Sequence, residues 1–242
     1  MFKIAIPTHR RSETIKDLTL NALNGIDAEI YIFISDEEDY EKYKRTLPEY
    51  NLILCNTRSV AEKFNYIQNY FDEGTFVMVI EDDIKEIKNL MGYSTEKLLK
   101  FIYNFCVNNN LSCWGVYPSS NDFYMKKTID VGLTYIVANL YGFISRRDDR
   151  LLCHLKTKND YERSVKYYEV YRRIARFNFA ACKTNNYTNK GGMQMETNRE
   201  ADELEASNAL VEMYPRIFDI NTRRKSKYTE LTMKKEYKKL KL

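Results

Sequence analysis

The stretch Thr75-Phe76-Val77-Met78-Val79-Ile80-Glu81-Asp82-Asp83 holds the most chemistry in this chain: an apolar run that ends in three carboxylates. A short run rich in Val and Ile predicts a buried strand. Three adjacent acids are costly inside a fold unless cations pair with them, so the strand should deliver them to the edge of a sheet. In open α/β sheets, ligands bind in the crevice beyond the carboxyl ends of the strands. Carboxylate oxygens there suit a hard divalent ion, and Mg²⁺ is usually held by one or two carboxylates together with substrate phosphates. A solvated acidic turn behind a core strand would have the same local sequence.

The elements that must position this corner can be read on either side of it. Residues 3–7 predict a first strand closed by Pro7-Thr8, and Ser12 is suited to cap a helix reaching about residue 23. Residues 29–35 alternate and are rich in Ile, which predicts a second strand. A helix over 36–44 follows, with acids in its first turn as the macrodipole favours, and Leu47-Pro48 ends it. A short strand over 51–55 and a helix over 59–71, with Val60, Phe64, Ile67 and Phe71 at helical spacing, lead to the acidic strand at 75–80. This order predicts an α/β fold with a mainly parallel, doubly wound sheet. Beyond Asp83 the pattern changes. It predicts a helix over 95–109 leading to Trp114-Gly115-Val116-Tyr117-Pro118, a strand over 133–141 and a helix over 161–168. A polar loop over 183–194 and a helix over 196–213 stopped by Pro215 follow.

At 242 residues and 44% hydrophobic content the chain suits one large domain, 1–221, followed by a basic tail, 222–242. The net charge is +4, but the tail alone holds nine Lys/Arg and two Glu, or +7. The rest has 29 Lys/Arg against 32 Asp/Glu, or −3. No apolar stretch reaches membrane-spanning length, and the N-terminus lacks the features of a secretion signal. Five scattered cysteines without a CxxC pair support neither a zinc site nor a disulfide framework, which points to a reducing, cytoplasmic setting.

Three segments carry a family resemblance: Ile4-Ala5-Ile6-Pro7-Thr8-His9-Arg10-Arg11, Ile34-Ser35-Asp36-Glu37-Glu38 and Glu81-Asp82-Asp83. Together they resemble the donor half of a GT-A glycosyltransferase. The third matches that fold's Asp-x-Asp-type motif with Glu in the first place. The chain more specifically resembles the TET-associated glycosyltransferases of phages and related viruses, over roughly residues 2–225. The segments that carry this are Tyr40-x-x-Tyr43-x-x-x-Leu47-Pro48-x-Tyr50, Asn159-Asp160-Tyr161-Glu162-Arg163-Ser164, and Lys183-Thr184-Asn185-Asn186-Tyr187 with Gly191-Gly192. The resemblance implies a GT-A fold with a nucleotide-sugar half over 1–90 and an acceptor half over 91–221. It implies a glycosyltransferase that uses Mn²⁺ or Mg²⁺ and a nucleotide sugar such as UDP-hexose. The acceptor it favours is a hydroxymethylpyrimidine of viral DNA, modified in the host cytoplasm. A glycan acceptor and a degenerate domain that binds nucleic acid without catalysis are the alternatives.

Roles for the matched residues follow from that resemblance. Asp83 corresponds to the final, metal-binding acid; Asp82 is expected to face the donor ribose, and Glu81 to support the metal site. Pro7, Thr8 and Arg10 end the first strand, where base and phosphate approach, and Arg10 suits bidentate phosphate contact. Asp36 suits either the uracil or ribose edge or the cap of the following helix. Arg58 and Lys63 resemble basic positions that contact the donor. Asp160 and Glu162 are candidates for the general base that takes the acceptor hydroxyl proton, the other one capping the helix or facing water. Lys183, Tyr187, Lys190, Gly191 and Gly192 suit a lid over the diphosphate. His9 and His154 are the only histidines, and His154 is a weak candidate for a distal metal ligand. Arg223-Arg224-Lys225-Ser226-Lys227 suits a phosphate, whether of a donor or of a nucleic-acid backbone.

Overall fold

A computed structural model gives the fold and describes residues 1–184, 198–223 and 226–234. Strand β1 (Lys3–Thr8) pairs in parallel with β2 (Glu29–Ile34) on one side and with β4 (Phe76–Ile80) on the other. β3 (Asn51–Leu54) extends the sheet in parallel beyond β2. The chain therefore moves outward from β1 to β3 and then returns to the opposite side of β1. The topological switch point falls between β1 and β4, and this is where such sheets open a crevice. All five residues of β4 are buried, as expected for a strand covered on both faces.

The pleat explains the two layers. Ile4, Ile6, Ile32, Ile34, Met78 and Ile80 face one layer and pack with Ile15, Leu20, Tyr43 and Leu47. Ala5, Phe33, Val77 and Val79 face the other and pack with Phe64, Ile67 and Phe71. Helix α1 (Glu37–Thr46) thus covers one face and α2 (Val60–Tyr70) the other. Each has a side-chain cap: Asp36 accepts from the Asp39 amide and Ser59 from the Glu62 amide.

The second half closes the sheet with mixed pairing. β5 (Ile84–Asn89) carries the chain from the acidic turn to the far edge, and α3 (Thr95–Asn108) returns on the β4 Met78 face. β6 (Cys113–Tyr117), β7 (Ile129–Val131), β8 (Leu140–Ile144) and β9 (Ile174–Thr184) complete the order β3-β2-β1-β4-β8-β6-β9-β5, with β7 also on β9. β8 is antiparallel to β4 and β6; β6 and β9 are parallel; β5 and β7 are antiparallel to β9. Most strands still run one way, and the fold is a Rossmann-like α/β sandwich. Helices α4 (Asn159–Tyr171) and α5 (Arg199–Met213), with the hairpin of β10 (Phe218–Ile220) and β11 (Leu231–Met233), cover the Phe33 face.

Two close approaches need glycine. A Cβ on Gly142 would meet the Trp114 indole at 2.4 Å, and one on Gly115 would meet Ile136 Cγ2 at 2.5 Å.

Several sequence expectations need correction. Ser12 caps nothing: the Thr14 and Ile15 amides turn back onto the Arg11 carbonyl, and a short helix of π geometry runs over Lys16–Leu20 without a side-chain cap. The strand at 84–89 was hidden because its buried Ile84 and Ile87 lie three apart, a spacing produced by a register shift between Ile84 and Glu86. Residues 133–139 are irregular instead of a strand, with β8 starting only at Leu140. Lys183 and Thr184 end β9 and do not open a loop; residues 185–194 of that loop lie outside the described residues. Leu231 and Met233, in the basic tail, are buried in the domain core.

Candidate functional site

A cleft of about 960 Å³ lies over the switch point. Pro7, Thr8, Arg10, Arg11, Asp36, Arg58, Lys63 and Glu81-Asp82-Asp83 line it from the first half. Tyr135, Asn139, Lys158, Asp160 and Tyr161 line it from the second, together with Arg199, Glu203, Ser226, Tyr228 and Glu230.

The acidic corner is built from β1 and β4. Asp82 is 6% exposed, and both of its carboxylate oxygens are engaged. Arg11 Nη1 donates to Oδ1, and Thr8 Oγ1 donates to Oδ2 at 2.6 Å. Because the Thr8 hydroxyl proton goes to Asp82, the buried Tyr43 hydroxyl must donate to Thr8 Oγ1, 2.5 Å away. Asp82 is thus tied into the fold and not turned outward to a ribose. Arg11 Nη1 also lies 3.2 Å from Asp83 Oδ2. Lys63, 7% exposed on α2, donates its ammonium to the Thr8 carbonyl, and burial lowers its pKa. The turn itself is clamped by Thr19, whose hydroxyl donates to the Glu81 carbonyl at 2.7 Å and accepts from the Ile84 amide at 2.9 Å. Burial first, then the charges of Asp83, Asp82 and Asp160, push the Glu81 carboxyl up to about 8.

The opposite wall presents Asp160 from the first turn of α4. Tyr135 donates its hydroxyl to Asp160 Oδ2, and the Tyr161 amide donates to Oδ1 at 3.0 Å. Burial raises the Asp160 pKa, against the opposing effect of the Tyr135 hydrogen bond. Tyr135 stacks on Tyr161 with ring centroids 4.2 Å apart. The irregular segment that carries Tyr135 is held by the Ile136 amide on Ser164 Oγ at 3.0 Å and by Asn139, whose carbonyl accepts from the Glu81 amide at 3.1 Å. That last bond joins the two walls directly. Lys158, in the left-handed region at φ 55°, turns the chain into α4 and ion-pairs Glu203 at 2.8 Å.

Other expected residues fall elsewhere. Glu162 is buried and absent from the cleft lining. Its carboxylate accepts from the His154 and Leu155 amides at 2.9 and 3.0 Å and pairs with Lys166 at 2.8 Å. The side chain holds the chain entering α4, which leaves Asp160 as the carboxylate facing the cleft. Arg10 and Arg58 are exposed at the rim. Asp36 both caps α1 and lines the cleft, with His9 Nδ1 3.9 Å from its carboxylate. Lys183 is exposed, 4.0 Å from Glu86, and neither it, His154 nor Arg223 lines the cleft. Tyr187, Lys190, Gly191, Gly192, Arg224 and Lys225 lie outside the described residues.

Arg11, Thr19, Tyr135, Asn139 and Lys158 were not foreseen. Arg11 stood in the opening motif, but nothing local marks it as the partner of acids some seventy residues on. Among the described residues, no group of three or more His, Cys, Asp and Glu side chains is arranged to hold a metal ion. No described helix is long and apolar enough to cross a membrane. The five cysteines are buried and none forms a disulfide.

No protein-family model matches the chain, and no curated protein matches it. Among solved structures, CMP:2-keto-3-deoxy-manno-octonic acid synthetase complexed with CTP aligns over 85% of this chain and 98% of its own, at 9% identity and a TM-score of 0.49. UDP-glucose pyrophosphorylase complexed with UDP-glucose aligns over 76% and 92%, at 10% identity and a TM-score of 0.47. A UDP-glucose pyrophosphorylase from Acinetobacter baumanii aligns over 76% and 88%, at 9% identity and a TM-score of 0.46. None of these names is that of a glycosyltransferase. The fold class rests on the sheet order and the two helical layers, and the site on its own geometry.

Proposed function

We propose that this protein is a glycosyltransferase that moves a hexose from a nucleotide sugar, UDP-linked by the resemblance of its motifs, to an acceptor hydroxyl. The observation that carries this reading is one cleft with two unlike walls. The first presents acids and the cations Arg10, Arg58 and Lys63 at strand ends, which suits a ribose diphosphate. The second presents Asp160, kept basic by burial, with Glu203 and Glu230 also on its lining. In a single inverting displacement, the acceptor oxygen forms its bond to the anomeric carbon and Asp160 takes the hydroxyl proton. The bond to the diphosphate breaks, and its electron pair leaves with the phosphate. Rim arginines and Lys63 would stabilise that charge.

Asp83 and Glu81 both line the cleft, and their carboxylate oxygens are donors of the kind a hard divalent cation takes. Asp83, supported by Glu81, would hold Mn²⁺ or Mg²⁺, and the ion would neutralise the leaving diphosphate.

For the acceptor, the motif resemblance supports a hydroxymethylpyrimidine in DNA. A glycan is the competing acceptor, and a domain that only binds nucleic acid is the competing function. The test offers labelled UDP-hexoses with hydroxymethylcytosine DNA, unmodified DNA and free sugars, and follows products by mass spectrometry. Transfer to modified DNA is expected. Transfer only to sugars would move the acceptor to glycans. DNA binding with neither transfer nor donor hydrolysis would overturn the enzyme reading.

A further inference from the structure

We propose that the loop over 118–128, between β6 and β7, is a docking surface for a nucleic-acid strand: Phe123 stacks an unpaired base, and Lys126 and Lys127 hold backbone phosphates. The use of the strand as acceptor rests on the glycosyltransferase reading; the surface itself is read from its own residues.

Topology puts this loop beside the second wall of the cleft. β6 is antiparallel to β8, and β8 to β4, so β6 ends on the same edge of the sheet as the acidic strand. Pro118, the first residue after β6, lines the cleft. The far end of the loop is tied to β9. The Lys126 amide donates to the Asn178 carbonyl and the Asn178 amide to the Thr128 carbonyl, both at 3.0 Å. Arg176, also on β9, donates to Asn178 Oδ1 at 2.8 Å and to the Tyr135 carbonyl at 3.4 Å. Tyr135 in turn holds Asp160, so one arginine joins the base of the loop to that wall.

The loop is braced, yet its aromatic tip is left outside. Met125 is buried, Lys88 donates its ammonium to the Ser120 carbonyl at 3.2 Å, and the Asn121 side chain accepts from the Phe123 amide at 3.0 Å. Between these anchors Phe123 is 84% exposed and Tyr124 54%, with the two rings edge-on at 5.0 Å. Adjacent aromatic rings on a fixed backbone form a stacking platform that needs little ordering when a ligand arrives. The charge names the ligand. Asp122, the one acid of the loop, is paired with Lys88 at 2.8 Å. Lys126 and Lys127 are exposed and, among the described residues, ion-pair with nothing. Unbalanced cations beside stacking rings suit a strand that carries both bases and phosphates.

The experiment uses the full chain, no sugar donor, and two labelled probes read by fluorescence anisotropy. One is an unmodified single-stranded oligonucleotide; the other is an abasic strand of the same length. Phe123→Ala should weaken oligonucleotide binding about tenfold and leave the abasic strand unaffected, because stacking is lost and charge is kept. Its thermal unfolding should match the wild type, since the ring is almost wholly outside the fold. Lys126→Gln with Lys127→Gln should weaken both probes. It should also lower the slope of log affinity against log salt by about 1.4, as expected for two phosphate contacts on a single strand. Wild-type oligonucleotide affinity in Phe123→Ala overturns the proposal. So do equal losses on both probes, an unchanged salt slope, or a wild type that binds neither strand. If the strands bind as described and no donor supports transfer, only the glycosyltransferase reading fails. If modified DNA is glycosylated and Phe123→Ala keeps its KM for DNA, only this proposal fails.

Discussion

The two walls of the cleft are built in opposite ways. On the first, every polar group stands at or just beyond the end of a parallel strand or in the helix start that follows it. Thr8 ends β1, Asp36 follows β2 and caps α1, Glu81-Asp82-Asp83 follow β4, and Lys63 lies in the first turn of α2. On the second, the polar groups come from irregular chain and from the first turns of two later helices. Tyr135 and Asn139 lie on residues 133–139, Lys158 and Asp160 at a left-handed turn into α4, and Arg199 and Glu203 at the start of α5. The first wall is ordered by the repeating strand–helix unit, whereas the second is ordered by individual hydrogen bonds between segments distant in sequence. A site of this kind joins a wall set by regular architecture to a wall that can be rebuilt loop by loop.

The sharpest way to break that comparison is at Asp160. Asp160→Asn keeps the shape and removes the proton acceptor, so transfer should fall by roughly 10²–10⁴-fold. Donor affinity, measured by calorimetry with UDP, should not change. A matching loss of donor affinity would mean that the two walls are one binding unit. Glu162→Gln tests the same helix from its structural side. The amide would face two backbone N–H groups and Lys166 with one acceptor fewer. It should lower stability by about 1–3 kcal/mol in urea unfolding, with donor binding intact. If Glu162→Gln instead abolishes transfer in a fully stable protein, the roles of the two carboxylates are reversed.

The gentlest test is pH. An ordinary Glu titrates near 4.5, and Glu81 holds its proton to about 8. Between those values the native state binds one more proton than the unfolded chain, so stability falls as pH rises through that window. The contribution is whole below 4.5 and lost above about 8. Glu81→Gln carries no such proton. Its stability relative to wild type should grow between about pH 5 and about pH 8.5 in denaturant titrations. A constant difference would show that Glu81 titrates like a solvated acid.

What the sequence revealed follows the same division. The parallel unit was legible because its signals are local: alternating Ile in β2, the Asp36 and Ser59 caps, and the apolar run of β4. Three acids behind that run located the corner correctly. The partner that neutralises two of them was not legible, because Arg11 reaches Asp82 only through the β1–β4 pairing. In the second half, the bulge in β5 disguised a strand. Leu133 and Ile136 are buried from a segment without regular structure, so their apolar pattern resembles that of a strand. Glu162 and Asp160 could not be separated by spacing alone. The backbone amides that engage Glu162 are those of His154 and Leu155, in a segment outside the helix and without regular structure.

Gly115 shows how far the tuning of this site extends from the cleft. Its missing side chain gives Ile136 a place against β6, and Ile136 stands next to the tyrosine that holds Asp160. A methyl group at position 115 would press on the Ile136 side chain, one residue from the tyrosine whose hydroxyl holds the carboxylate. The proton affinity of the carboxylate in the cleft is therefore tied partly to the middle of a sheet. A substitution at a position with no chemistry of its own thus acts on the Asp160 carboxyl while every residue of the cleft stays unchanged.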